Sequence, residues 1–206
     1  MSRPLLVTDC DEVLLHMVRH FSAWLDEEHA IDFSLNGNPF AESMRVRATG
    51  ETVPEEKMWE YLGGFFDTQM DTQEPIAGAL EAVAKIGEDA DVVVLTNLTD
   101  ERNAARVQQL RKHGLTAPVF TNQGPKGAAL KRIVEEHGAT RAVFIDDIAG
   151  HHKSALEKVP FVHRLHLCGE PAVAPHIPCA HEAGDAHARI DRWDEALPWI
   201  LETLHR

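Results

Sequence analysis

The sequence predicts an α/β protein, an open parallel sheet with helices on both faces and a small, mostly helical insertion near its start. Three observations carry this. From Pro75 onward, short apolar runs alternate with stretches of helical spacing, the pattern of parallel strands joined by crossover helices. The first apolar run, Leu5-Leu6-Val7-Thr8, is continuous rather than alternating, as in a strand covered on both faces. Between Leu14 and Glu74 the strand–helix alternation is missing, and turn residues separate two helical segments. At 206 residues the chain can bury a full core. It divides into a core of residues 1–13 and 75–206 and an insertion of residues 14–74.

Taken in order, the first strand ends in Asp9-Cys10-Asp11-Glu12. Leu14, Val18, Phe21, Ala23, Trp24 and Leu25 then recur at helical spacing over residues 14–29. Asn36-Gly37-Asn38-Pro39 is turn chemistry, residues 43–48 read as a short strand, and Thr49-Gly50-Glu51 as another turn. Pro54 at a first helical position opens a helix carrying Met58, Trp59, Leu62, Phe65 and Phe66, whose spacing predicts packing within the insertion. The core resumes with a helix at 75–86 and a strand at 91–97. A helix at 100–113 is closed by Gly114 and followed by a strand at 118–121. The next helix, at 126–137, is closed by Gly138. Strand 142–147, helix 152–158, strand 161–167, a short strand at 189–190 and helix 194–204 complete the chain. Residues 168–184, rich in Pro and Ala, read as a surface loop.

Composition narrows the function. Twenty Lys and Arg against thirty-three Asp and Glu give a net charge of −13, with no basic stripe for a nucleic-acid backbone. Three cysteines without a Cys-x-x-Cys pair make no disulfide framework, which points to a reducing compartment. No apolar stretch approaches the ~18 residues of a membrane span. The chain goes directly into a core strand, leaving no room for a signal peptide, so a cytoplasmic protein is expected.

The strand ends carry the chemistry. Positions i and i+2 of an extended chain point to one side, so Asp9 and Asp11 leave the first strand together. At ~4 Å and an effective dielectric of ~20, two carboxylates repel by about 4 kcal/mol, a cost that suggests a cation, a shared proton or both. The second core strand ends at Thr96-Asn97, the third runs into Lys126 at a helix start, and the fourth ends at Asp146-Asp147. In a parallel sheet these ends share one edge, where ligands of such sheets bind. Hard carboxylate oxygens suit Mg²⁺, which binds through a few carboxylates plus substrate phosphate. Lys126 with the hydroxyl and amides near Thr96-Asn97 can hold further phosphate oxygens. One carboxylate can attack phosphorus, and a second can serve as general acid and then base.

With Asp9-x-Asp11-x-Val13 after a strand, Thr96 after Val-Val-Val-Leu, Lys126, and Asp146-Asp147 after Val-Phe-Ile, the chain resembles the haloacid dehalogenase superfamily of hydrolases. The lead-in Pro75-Ile76-Ala77-Gly78-Ala79-Leu80 belongs to the same resemblance. It implies a Rossmann-like core, with the insertion as a cap. It also implies Asp9 as nucleophile, Asp11 as general acid/base, Thr96 as phosphoryl ligand and Lys126 as the screening cation. Mg²⁺ would be held by Asp9, Asp146 and the Asp11 main-chain carbonyl, with Asp147 either a ligand or a neighbour of one. An acid at Asp11 favours phosphate-ester over dehalogenating chemistry. The implied substrate is a small phosphorylated metabolite. Glu12 departs from the family pattern, where glycine is common, and no acid stands four residues beyond Asp146 or Asp147, where Gly150 and His151 lie.

Other readings stay open. A sugar phosphomutase would use the same residues, and a catalytically quiet protein that binds a phosphorylated ligand fits the unusual Glu12. Arg45 and Arg47 alternate onto one face of the short strand and are candidates to bind substrate. His163, His166, Cys168, His176, Cys179, His181 and His187 match no compact zinc pattern and read as surface residues. His151 and His152 read as solvent-exposed at a helix start.

Overall fold

The computed structural model describes residues 3–35 and 40–205, so the turn expected at 36–39 lies outside the described residues. In chain order the elements are β1 (Leu5–Thr8), α1 (Val18–His29), β2 (Ile31–Phe33), β3 (Met44–Val46), α2 (Glu55–Thr68), α3 (Ala79–Gly87), β4 (Asp91–Thr96) and α4 (Asn103–Lys112). There follow β5 (Val119–Thr121), α5 (Gly127–Glu136), β6 (Ala142–Asp146), α6 (Ala149–Lys158), β7 (His163–His166), β8 (Ala188–Arg189) and α7 (Trp193–His205). Six strands form one parallel sheet in the order β5-β4-β1-β6-β7-β8.

Strand periodicity builds the two layers. Leu6, Val94, Val143 and Ile145 face a cluster with Val83 and Ile86 of α3, Leu110 of α4 and Ile200 and Leu204 of α7. Their neighbours Leu5, Val7, Val93, Leu95 and Phe144 face Leu130 and Ile133 of α5 and Ala155 of α6. A strand apolar at every position must bury both faces, which is why β1 lies inside the sheet rather than at its edge. The core helices therefore cover both faces, as the sequence predicts.

Between β1 and α3 the chain packs around a separate apolar cluster, including Phe21, Leu25, Ile31, Met44, Met58, Phe65 and Phe66, joined by Leu98 after β4. The expected short strand is there as β3, antiparallel to β2. Three residues of β2 are too few to display a period. Phe65 and Phe66 are buried as expected, but Trp59 is 57% exposed.

Several boundaries move for local reasons. α1 begins at Val18 rather than at residue 14, because the Cys10 carbonyl first accepts the amides of Val13, Leu14 and Leu15 in a tight turn. Glu12 stands in that turn at φ 59°, the left-handed region where glycine is at ease. α3 starts at Ala79, after Gly78 at φ 77°, since Ile76 N–H is engaged by Leu14 C=O. α6 begins at Ala149, so His151 and His152 lie one turn inside it and are buried rather than exposed. His166 and Cys168 are also buried, against the surface reading: His166 meets the His152 ring of α6 and accepts Ala180 N–H, and Cys168 clusters with Val18 and Val173.

Candidate active site

Register brings the strand ends together. Thr8 lies opposite Val94 on one side and Ile145 on the other, and Asp9 N–H donates to Ile145 C=O at 2.9 Å. Asp9, Thr96 and Asp146 thus emerge at one edge of adjacent strands. Lys126, the residue before α5, reaches that edge fully buried. Its Nζ lies 2.6 Å from Asp9 Oδ1, an ion pair, and donates to Asp146 Oδ2 at 2.8 Å. Gly127 permits this placement. A Cβ there would lie 2.2 Å from the Ser154 carbonyl oxygen, so only glycine lets α5 start this close to α6.

Asp146 and Asp147 have different surroundings. Both Asp146 oxygens are engaged, Oδ2 by Lys126 and Oδ1 by Ile148 N–H and His151 Nδ1, each at 2.9 Å. The far side of the His151 ring, Nε2, is 3.3 Å from Asn97 Nδ2. Asn97 in turn accepts from Asn122 and donates to Gly124 C=O. Among the described residues no protein donor meets the Asp147 carboxylate, although it is buried. Burial would raise Asp146, but Lys126 and His151 outweigh it and hold its carboxyl well below the usual range. Asp147 is pushed well above that range by burial, reinforced by Asp146 and Asp9. Burial also raises Asp9 to about 6, with Lys126 acting against it.

Asp9, Asp146 and Asp147 offer oxygens within 4.8 Å of one another. Two buried acids that resist ionisation, beside a lysine already shared, form an all-oxygen donor set that fits a hard divalent cation such as Mg²⁺. Thr96, the last residue of β4, is fully buried and its hydroxyl has no partner.

Asp11 is clamped. Arg106 Nη2 donates to its two oxygens at 2.9 and 2.8 Å, and Gln73 Nε2 donates at 2.7 Å. Arg106 is fully buried, with Nη1 donating to Cys10 Sγ at 3.1 Å. Arg45 and Arg47 find partners within the insertion: Arg45 donates to Thr52 Oγ1 at 3.0 Å, and Arg47 pairs with Asp26 and Asp32. Beside the strand ends, a cavity of about 360 Å³ is lined by Trp59, Leu62 and Phe66 of α2 and by Asn97, Leu98 and Gly124 of the core.

Arg106, Gln73 and His151 are site residues that sequence reasoning missed. The inward stripe of α4 is Arg106, Gln109 and Leu110, and a reading by apolar periodicity places the first two outside. His151 carried a usable signal, one helical turn beyond the Asp146-Asp147 pair.

No family model matches the chain, and no curated protein matches it in sequence. Solved structures do match in shape. A haloacid dehalogenase-like family hydrolase from Streptococcus pneumoniae superimposes with a TM-score of 0.66 at 12% identity, over 95% of this chain and 97% of that one. A HAD family hydrolase from Deinococcus radiodurans, with bound phosphate and sodium, gives 0.67 at 15% identity, over 97% and 95%. A provisionally assigned beta-phosphoglucomutase from Thermotoga maritima gives 0.65 at 13%, over 97% and 99%. Over nearly its whole length, the chain therefore has the fold of the haloacid dehalogenase-like hydrolases.

Proposed function

We propose that the protein is a phosphohydrolase that removes the phosphoryl group of a small phosphorylated metabolite by way of Asp9. The observation that carries this reading is Lys126, buried between Asp9 and Asp146 at the sheet edge where β4 ends in the partnerless Thr96 hydroxyl and Asp147 adds a further buried carboxyl group. An Asp9 oxygen attacks phosphorus while the bond to the leaving oxygen breaks, and Asp11 gives that oxygen a proton. Asp11 then takes a proton from water, whose oxygen attacks the acyl phosphate and frees Asp9 and inorganic phosphate. Lys126 and Thr96 hold phosphoryl oxygens, and Asn97 lines the way in. Arg106 and Gln73 orient Asp11. Asp9, Asp147 and the Asp11 main-chain carbonyl would hold Mg²⁺, which when bound neutralises charge on the phosphoryl oxygens. Asp147 is favoured over Asp146 as ligand because Lys126 and His151 already occupy the Asp146 oxygens.

The insertion acts as a cap in this reading, and the cavity under Trp59 and Phe66 is the place for the organic part of the substrate. Arg45 and Arg47, tied to the insertion's own residues, are left without a substrate role. The test is phosphate release from p-nitrophenyl phosphate and a metabolite panel, with Mg²⁺ and with chelator. Wild-type protein that releases nothing with Mg²⁺ present from any compound overturns the reading. The Thermotoga neighbour favours a second one, return of the phosphoryl group to the substrate, which isomerised product without free phosphate would reveal.

A further inference from the structure

Where the insertion leaves the core, three side chains converge that the phosphoryl-transfer site does not use. Glu12, His16 and Glu170 are all buried, and one ligand atom from each lies within 4.8 Å of the other two. Glu12 Oε1 accepts the Met17 and Val18 amides at 2.8 and 2.5 Å. Oε2 of the same carboxyl group is buried without a hydrogen-bond partner. His16 Nδ1 and Glu170 Oε2 are 2.8 Å apart, yet neither makes an aligned hydrogen bond. Among the described residues, the one other charged group in ion-pair contact with the three is Arg19, half-exposed, with Nη2 3.0 Å from Glu170 Oε2. His20, on the same helix, accepts from Glu74 N–H. One guanidinium reaching in from solvent is a poor match for two buried carboxylates, which ordinarily need full pairing or a metal.

We propose that Glu12, His16 and Glu170 form a second divalent-cation site that takes Zn²⁺ and staples the start of the insertion to the loop after β7. One imidazole and two carboxylates are a Zn²⁺ donor set, softer than the all-oxygen set at Asp9 and Asp147. Donors at ~2.1 Å from one ion lie at most about 4.2 Å apart, so the three ligand atoms must settle within that span when the ion binds. The two segments already meet, since Gly169 N–H donates to Glu12 C=O at 2.6 Å. The site shares no residue with the Asp9 set, and it does not rest on the phosphohydrolase reading.

The experiment uses full-length Asp147→Asn protein, which disables the Asp9 set, stripped with chelator and dialysed against micromolar Zn²⁺. Metal analysis is expected to find about one Zn²⁺ per chain more than in the same protein carrying Glu170→Gln or His16→Asn. Either change is expected to weaken Zn²⁺ binding by about a hundredfold or more, since even outer partners of a metal site contribute tenfold to a hundredfold. Zn²⁺ should also raise the melting temperature of the Asp147→Asn parent and leave that of the two double variants unchanged. Zn²⁺ on exposed histidines survives both changes and so cancels in the difference. Equal Zn²⁺ content and equal thermal response in parent and variants overturn the proposal and leave the Arg19–Glu170 ion pair as the cluster's only charge pairing. A double variant that fails to fold is replaced by Arg19→Gln, for which the proposal requires tighter Zn²⁺ binding and the ion-pair reading none.

Discussion

Lys126 shares one ammonium between two buried acids, so replacing either acid changes more than one interaction. Asp9→Asn is expected to lower phosphate release at least about a thousandfold with little change in circular dichroism, because the amide cannot attack phosphorus. Asp146 and Asp147 are expected to part ways. Asp146→Asn leaves Lys126 and His151 short of a charged partner and should cost about 3 kcal/mol in urea unfolding. Asp147→Asn, by contrast, removes a buried carboxylate that burial and two acidic neighbours already disfavour. In chelator it should leave stability unchanged or raised, while Mg²⁺ affinity by calorimetry falls by tenfold or more. The reverse pattern would make Asp146 the ligand and remove Asp147 from the site.

At the scale of elements, helix starts do the positioning. Gly127→Ala puts a methyl group against the Ser154 backbone, so α5 must move away from α6 and carry Lys126 with it. A loss of about 3 kcal/mol is expected, with kcat falling in the same variant. Glu12 serves α1 in a different way, capping Met17 and Val18 N–H from a backbone at φ 59°. Glu12→Ala keeps the left-handed backbone and loses the cap, for about 1–2 kcal/mol. Glu12→Gly loses the same cap but relieves roughly 1 kcal/mol of backbone strain. The glycine variant should therefore melt above the alanine one, and the opposite order would show that φ at this turn matters little.

Across the whole molecule, buried histidines tie stability to pH. His166 is fully buried, with Nε2 donating to Asp147 C=O at 2.8 Å and Nδ1 accepting Ala180 N–H at 3.0 Å. Both ring nitrogens are satisfied only when the ring is neutral. Burial, with the His152 ring and Arg189 nearby, lowers its pKa from 6.5 to about 4, although Asp147 C=O and Asp191 act against this. Between those values the unfolded chain binds the proton and the folded one does not, so stability rises with pH. This contribution, on the order of 3 kcal/mol, is complete above pH 6.5 and is lost as pH falls toward 4. Glu12, raised to about 8 by burial, titrates in the opposite sense, so the comparison must hold it constant. Urea unfolding of wild type and His166→Gln from pH 7 to 4.5 should show a shallower fall in the variant. Parallel curves would mean that His166 protonates alike in both states.

Much of this was legible in the chain, for a reason that can be named. Parallel strands share a direction, so residues that end successive apolar runs meet at one edge whatever the details of packing. Asp9, Thr96, Lys126 and Asp146 could be gathered on that basis, as could the two helix layers from the double burial of β1. Contacts between elements leave no such trace. Arg106 clamps Asp11 across 95 residues, from a helix face that periodicity assigns to solvent. Glu12, His16 and Glu170 meet only because the loop after β7 returns to the start of the insertion. Which carboxylate of the Asp146-Asp147 pair is taken up by hydrogen bonds was likewise decided by tertiary structure. Adjacent residues have the same neighbours along the chain, and only packing separates the donors around them.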